Sequence, residues 1–160
     1  MSVAALFDAA RARLADAPRE QFGELVEPRV LGVRRAPRIV ARGSAWHIGV
    51  LLLTADGVLA TGEVVRARQD AVRGFAAESQ RERSALGAAA FRGGFGEGAA
   101  VHIGWTVVDV AAVDAGGESG PLALHDGVVT VRWSRAGAPM PLAAYLDERI
   151  ELLLHPPAGA

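Results

Sequence analysis

One strongly apolar stretch of the chain reads Ala45-Trp46-His47-Ile48-Gly49-Val50-Leu51-Leu52-Leu53, with a single titratable imidazole inside it. The tripeptide His-Ile-Gly returns at residues 102–104, where it again lies within an apolar run that continues to Val108. Side chains alternate between the two faces of an extended strand, and in both stretches both faces are mostly apolar. The two stretches therefore predict strands covered on both sides, each with a glycine that leaves space beside a histidine.

The dipeptide Asp-Gly stands between apolar segments at residues 56–57 and again at residues 126–127. This dipeptide favours type I′ hairpin turns, in which both central residues need a positive φ. The first predicted hairpin joins residues 46–53 to residues 58–68, with Ala55 opposite Val58 and His47 opposite Arg66. The second joins residues 122–124 to residues 128–133.

Three segments have the apolar spacing of amphipathic helices. They are residues 3–14 after a Ser2 cap, residues 79–91 from a Ser79-x-x-Glu82 capping box to Gly93-Gly94, and residues 141–154 from Pro141. A short helical turn is predicted near residues 19–25, and residues 69–77 predict a loop or an earlier helix. We expect one domain over residues 1–160, of the α+β class. Its mainly antiparallel sheet is built from two hairpin-rich regions, with N-terminal, central and C-terminal helices.

The composition excludes several classes of chemistry. The 160 residues include no cysteine and no lysine, and all 17 basic residues are arginine. Thiol catalysis, Schiff-base chemistry and a P-loop each need one of the missing residues. No histidine has the spacing of a known metal motif, so we expect neither a metal nor another cofactor.

The charge and hydropathy patterns bear on partners and location. A net charge of −1 argues against nucleic-acid binding. No apolar run is long enough to span a membrane, and the N-terminus has no basic segment typical of a signal peptide. We therefore expect a cytoplasmic protein that binds neither nucleic acid nor membrane.

The candidate catalytic residues are His47, His102 and Glu63. Two imidazoles on apolar strands can act as an acid and base pair or as two ligands of a metal, for which the sequence shows no third ligand. A half-buried glutamate beside a cleft can act as a general base. The alternative interpretation remains open for each residue. Both histidines are then core residues satisfied by a hydrogen bond, and Glu63 is a solvated residue of an edge strand.

The candidate ligand-binding residues are Arg66, Trp46, Trp105 and Arg38. Arg38 belongs to the segment of residues 29–42, which contains five arginines and no acidic residue. Guanidinium groups match phosphate and carboxylate geometry, so this segment is a candidate anion site. The alternatives are a solvated basic surface for the arginines and packing in the core or an interface for the tryptophans.

Several segments resemble a small family of uncharacterised proteins from high-GC actinobacteria, and the resemblance covers the whole chain. It is carried by Arg34-Arg35-Ala36-Pro37-Arg38-Ile39-Val40, by residues 45–53 and by Glu78-Ser79-Gln80-Arg81-Glu82-Arg83, and it ends with the helix at residues 145–150. The glutaminase activity attributed to some such proteins is not supported by the residues. Serine-type glutaminases use Ser-x-x-Lys and amidotransferase glutaminases use cysteine, and this chain has neither lysine nor cysteine.

Two hypotheses of function follow from the sequence. The first is a small-molecule-binding domain, with an anionic ligand among the candidates, whose pocket is lined by His47 and His102. Such a pocket would suit a hydrolase or an isomerase. The second is a non-enzymatic structural or interaction protein, a homodimer, with both histidines in its core.

Overall fold

The computed structural model describes residues 1–69 and 77–160. In chain order the described elements are α1 (Val3–Arg13), β1 (Glu20–Val26), β2 (Arg29–Val30), β3 (Val33–Arg34), β4 (Arg38–Ile48), β5 (Leu51–Leu53), β6 (Val58–Ala60), β7 (Glu63–Arg66), α2 (Glu78–Arg92), β8 (Ala100–Ile103), β9 (Thr106–Val107), α3 (Val110–Asp114), β10 (Glu118–Ser119), β11 (Leu122–His125), β12 (Val128–Val131), β13 (Met140–Pro141) and α4 (Leu142–Leu154). The predicted α+β class is confirmed, with mostly antiparallel sheets and N-terminal, central and C-terminal helices. The prediction for residues 69–77 falls almost entirely on residues outside this description.

The described residues divide into two compact units, so a single domain over residues 1–160 stays a prediction. Unit 1 contains Met1–Arg19, Ala45–Thr61 and Thr106–Ala160, and unit 2 contains Glu20–Ser44 and Gly62–Trp105. Strand β4 begins in unit 2, and its residues from Ala45 onwards belong to unit 1.

Unit 1 contains two antiparallel sheets and three helices. The end of β4 pairs with β5, β5 with β6 and β6 with β9, while β10, β11, β12 and β13 form the second sheet in that order. Ser2 caps α1 as predicted, since its Oγ accepts a hydrogen bond of 3.1 Å from the Ala5 amide. Helix α4 follows Pro141 as predicted. The core of unit 1 is built from buried apolar residues, among them Phe7, Leu14, Leu53, Leu122, Val131, Leu142 and Ile150.

The repeated His-Ile-Gly marks the end of a strand in both places. Strand β4 ends at Ile48 and strand β8 ends at Ile103. The glycine that follows has a φ of 70° at Gly49 and of 67° at Gly104. This left-handed conformation costs a glycine little and turns the chain. The prediction of two uninterrupted strands through these glycines is therefore wrong.

The turn at Gly49 also changes the predicted register of the first hairpin. His47 lies opposite Leu52, not Arg66, because the chain reverses directly after Ile48. The next reversal pairs Leu53 with Val58, so the predicted pairing of Ala55 with Val58 is also wrong. The hydroxyl of Thr54 accepts the Gly57 N–H at 2.8 Å and closes a four-residue loop in place of a two-residue turn. The second hairpin is confirmed, with Asp126 and Gly127 both at positive φ.

A buried tyrosine secures the turn at Gly49. The Tyr145 hydroxyl accepts a hydrogen bond of 2.8 Å from the Val50 amide and donates one of 3.1 Å to the Ile48 carbonyl oxygen. Burial raises the pKa of Tyr145, because the phenolate would lose its hydration there. A Cβ added at Gly49 would overlap the same hydroxyl. Position 49 therefore has room only for glycine while Tyr145 keeps its place.

Unit 2 contains the strands β7, β8, β1 and the start of β4, in that order, with helix α2 packed against them. Strand β1 runs parallel to β8, with Phe22 opposite His102, so the predicted helical turn near residues 19–25 is wrong. Helix α2 begins at Glu78 after Ala77 and has no side-chain cap, so the predicted capping box does not form. Its end before Gly93 is confirmed. The core of unit 2 is Ile39, Val65, Ala67, Ala89, Ala90, Phe95, Val101 and Ile103.

Candidate functional site

His47 is the second-to-last residue of β4, directly before the turn at Gly49. It belongs to unit 1 and is partly buried. Its Nε2 atom is 2.9 Å from the carbonyl oxygen of Gly49, two residues along the chain. The ring nitrogen donates in this contact when it carries the proton. One role of His47 is thus local, since its imidazole contacts the tight turn that ends its own strand.

His102 lies on β8 in unit 2, and only 1% of the residue is exposed. Its Nε2 atom is 3.4 Å from Oε1 of Glu20, whose side chain is 42% exposed. Glu20 was not a candidate in the sequence because residues 19–25 read as a helical turn. Only the parallel pairing of β1 with β8 brings it to His102, and no local sequence signal reveals such a pairing. His47 and His102 belong to different units, so their shared pocket stays a prediction.

Glu63 and Arg66 lie at the two ends of β7, opposite Ile103 and Ala100. Both side chains are exposed, and Arg66 donates a hydrogen bond of 3.2 Å from Nη1 to the carbonyl oxygen of Gly98. They line one shallow cleft of about 210 Å³, which also includes Arg83. The exposure of Glu63 favours the solvated edge-strand interpretation.

Both candidate tryptophans have their indole N–H groups committed to backbone carbonyls. Trp46 is buried in the core of unit 1 and donates to Ala17 at 3.1 Å, with the Arg19 guanidinium 4.0 Å from its ring centroid. Trp105 in unit 2 donates to Gly23 at 2.8 Å and packs edge-to-face on Phe22. These contacts favour packing roles for both residues, and their ligand-binding role stays a prediction.

Arg38 lies at a cleft of unit 2 that collects three arginines. The cleft has a volume of about 430 Å³, and we call it the arginine cleft. Its lining residues are Pro28, Val30, Arg35, Ala36, Arg38 and Arg92. Three of these six residues carry a guanidinium group and none carries a carboxylate. Three guanidinium-bearing residues border the cleft and give it a net positive charge, while the surface that faces the cleft is mostly carbon.

Three segments of unit 2 bring these arginines together. The β2–β3 hairpin is closed at its base by the Arg35 amide, which donates to the Pro28 carbonyl oxygen at 2.8 Å. Arg38 is the first residue of β4 and Arg92 is the last residue of α2. Because Arg92 is 54 residues away from Arg38 in sequence, the run of arginines at residues 29–42 could not reveal the complete cleft.

Arg92 is held in place by two features at the end of α2. Its Nε–H donates a hydrogen bond of 2.8 Å to the Pro37 carbonyl oxygen, which leaves four further N–H donors on the guanidinium. The next residue, Gly93, packs so closely on β4 that an added Cβ would overlap the carbonyl oxygen of Ile39. The helix end can approach β4 only because residue 93 has no side chain.

The charges of the arginine cleft are not neutralised by nearby carboxylates. Within residues 1–69 and 77–160, no acidic side chain forms an ion pair with Arg35, Arg38 or Arg92. In contrast, Arg42 of the same basic segment pairs with Glu24 at 2.7 Å. Among the described residues, the three cleft arginines thus have no carboxylate that compensates their charge.

A second cleft, in unit 1, has mixed charge. It measures about 340 Å³, and its polar lining includes Glu118, Ser119, His125, Thr130 and Arg132. One carboxylate and one guanidinium share this lining, so its potential does not select for anions as that of the arginine cleft does. Arg132 therefore serves as a matched control for substitutions of the cleft arginines.

Comparison with models of known families, with curated proteins and with solved structures finds no match to this chain. None of the helices within the described ranges is sufficiently long and apolar to cross a membrane.

Proposed function

We propose that this protein binds a small anionic ligand in the arginine cleft. The observation that carries the proposal is the convergence of Arg35, Arg38 and Arg92 on one cleft, with no carboxylate among the described residues that line it. Guanidinium groups form charge-assisted hydrogen bonds with phosphate and carboxylate, often in bidentate pairs. Like charges gathered without counterions repel one another, and a bound anion relieves that repulsion.

The affinity for a bare anion follows from the exposure of the three side chains. Hydrogen bonds to charged groups contribute about 1.5–3 kcal/mol when shielded, and exposed pairs contribute less. We take about 1 kcal/mol for each of the three exposed arginines, which corresponds to a Kd on the order of 10 mM for inorganic phosphate. Binding weakens with ionic strength, because the Debye length is only about 8 Å at physiological salt.

A thermal-shift titration with inorganic phosphate at constant ionic strength tests the proposal. At about ten times the Kd, a ligand that binds only the folded state stabilises it by about 1.4 kcal/mol. That corresponds to a rise in Tm of about 3–6 °C for a chain of this size. Phosphate also stabilises folded proteins in general, because it is excluded from their surface. The rise in Tm of the wild type must therefore be compared with that of variants that lack the cleft arginines.

Two variants separate the specific effect of phosphate from its general one. We expect the double variant Arg38→Gln/Arg92→Gln to lose most of the phosphate-dependent shift. The control Arg132→Gln removes one positive charge from the mixed cleft of unit 1, and it should keep the shift. Equal shifts in wild type and in the double variant would show that the arginine cleft does not bind phosphate.

A second candidate function is a non-enzymatic structural or interaction protein. The burial of His102 beside Glu20 supports it, because a core imidazole with a carboxylate partner needs no substrate to explain it. The predicted homodimer belongs to this candidate. Sedimentation equilibrium tests it, and a monomer over the whole concentration range would count against it.

The hydrolase or isomerase hypothesis for His47, His102 and Glu63 remains a separate proposal. The double variant His47→Ala/His102→Ala, screened against small molecules by thermal shift, tests it. A ligand whose effect on Tm survives this substitution does not use the histidines. A cytoplasmic location and the absence of nucleic-acid and membrane partners are also proposals, supported by composition and net charge.

A further inference from the structure

The arginine cleft is larger than a bare inorganic anion requires. A water-sized group takes about 30 Å³, so a cleft of about 430 Å³ has room for on the order of a dozen such groups. A phosphate ion has five non-hydrogen atoms and would fill less than half of that space. The remaining volume is available to another part of the same ligand.

The lining of that remaining volume is apolar. Apart from the three arginines, the cleft is lined by Pro28, Val30 and Ala36, none of which has a polar side-chain atom. Val30 is 47% exposed, and it is followed by Leu31 at the tip of the hairpin, which is 98% exposed. Apolar surface next to a cationic cluster is better covered by a carbon group than by water.

The β2–β3 hairpin, which carries Val30, has two features that lower its stability. Leu31 has a φ of 52°, a left-handed conformation that is unfavourable for leucine. Arg29 lies directly opposite Arg34, which places like charges side by side on a two-stranded ribbon. Val30 of this hairpin and Arg35 at its base both line the cleft, so a ligand there contacts an apolar and a cationic part of the same hairpin.

We infer that the ligand of the arginine cleft is a phosphate monoester that carries an apolar organic group. The phosphate binds the guanidinium groups of Arg35, Arg38 and Arg92, and the organic group packs on Val30, Pro28 and Ala36. A phosphate monoester carries nearly two negative charges at neutral pH, which suits three arginines better than a single carboxylate does. This inference rests on the proposed function and specifies its ligand class.

Calorimetric titration with inorganic phosphate and with ethyl, butyl and hexyl phosphate, all in monomeric form, tests the inference. Each fully buried methylene strengthens binding about fourfold, and we expect about twofold to fourfold per methylene in this open cleft until it is filled. The heat capacity change of binding should become more negative as the chain lengthens, since that change reports apolar burial. Arg38→Gln/Arg92→Gln should weaken the whole series.

Two valine variants localise the apolar contact. Val30→Ser should flatten the dependence on chain length, so that the Kd values of the alkyl phosphates approach that of inorganic phosphate measured on the same variant. Val107→Ser replaces another exposed valine, on β9 in unit 1, and should leave both properties unchanged. If Val30→Ser retains the full dependence on chain length, the organic group does not bind in the cleft and the inference is wrong.

Other outcomes distinguish a failure of this inference from a failure of the proposed anion site. Arginine-dependent binding of phosphate with no gain from the alkyl chain would overturn the inference and leave the anion site standing. If neither phosphate nor any alkyl phosphate binds, both proposals fail. Binding to vesicles of anionic phospholipid without saturable binding of the monomeric esters would show that the hairpin contacts a lipid surface, which also overturns the inference.

Discussion

The two His-Ile-Gly copies allow one substitution to be compared at two sites of nearly identical backbone geometry. Gly49 and Gly104 both follow a strand, with φ of 70° and 67°. Alanine at either position must adopt the left-handed conformation, which costs about 1–2 kcal/mol. At Gly104 little else changes, because the nearest atom to an added Cβ is the Cα of Gly62 at 3.9 Å.

Gly49→Ala meets an additional obstacle, because the new Cβ would overlap the hydroxyl of Tyr145. Displacing that hydroxyl breaks its hydrogen bonds to Val50 and Ile48, each worth about 1 kcal/mol net. A buried phenol left without partners adds about 1–3 kcal/mol. We therefore expect Gly49→Ala to lower the free energy of unfolding by about 4–7 kcal/mol and Gly104→Ala by about 1–2 kcal/mol.

Urea denaturation followed by far-UV circular dichroism measures both costs. Tyr145→Phe provides the cross-check, because without the hydroxyl the extra cost of Gly49→Ala should shrink in a double-mutant cycle. A positive coupling between positions 49 and 145 is thus expected. Equal costs for Gly49→Ala and Gly104→Ala, or no coupling with Tyr145→Phe, would refute the reasoning.

Two further predictions concern Tyr145 and Gly93. Tyr145 is the only tyrosine in the chain, so phenolate absorbance at 295 nm reports on it alone, and it should titrate above the ordinary value of 10.0. A raised folded-state pKa means that the stability due to the neutral phenol is complete below pH ~10 and is lost as the pH rises through the folded pKa. A titration at or below the ordinary value would contradict the burial. Gly93→Ala should lower stability by about 2–3 kcal/mol through overlap with the Ile39 carbonyl oxygen, whereas Gly96→Ala, with open space around its Cα, should change it by less than about 1 kcal/mol. Similar urea midpoints for these two variants would show that α2 does not need its close approach to β4.

The helices were the most predictable part of the fold, because their signals are local. The apolar spacing of residues 3–14, the Ser2 cap and Pro141 each act within a few residues of the helix they define. The strand β1 was missed for the opposite reason. Its partner β8 lies about 80 residues further along the chain, and that parallel pairing outweighs the local preference at residues 19–25.

The His-Ile-Gly motif was misinterpreted, because the apolar pattern around it does not show that its glycine is needed for a positive φ. Glycine within an apolar run suggested free space beside a histidine on a continuous strand. At both copies the glycine instead supplies a positive φ that ends the strand. In the first copy the missing side chain also makes room for Tyr145, 96 residues away, which periodicity alone cannot indicate.

The candidate site was predictable in part. The five arginines without an acidic residue at residues 29–42 indicated an anion site, and Arg38 was a candidate from the start. Arg92 could not be predicted as part of the site, because it reaches the cleft through the packing of α2 on β4 at Gly93. Sequence also could not separate Arg42, which pairs with Glu24, from the arginines that remain uncompensated.

Nuclear magnetic resonance of the arginine side chains tests the central claim most directly. All 17 basic residues are arginine, so a phosphate titration monitored at the Nε–Hε groups surveys every cation of the chain at once. We predict that Arg35, Arg38 and Arg92 shift together with one shared Kd, while Arg132 stays in place. Uniform small shifts across all arginines, or no shift at the three cleft residues, would contradict an anion site in the arginine cleft.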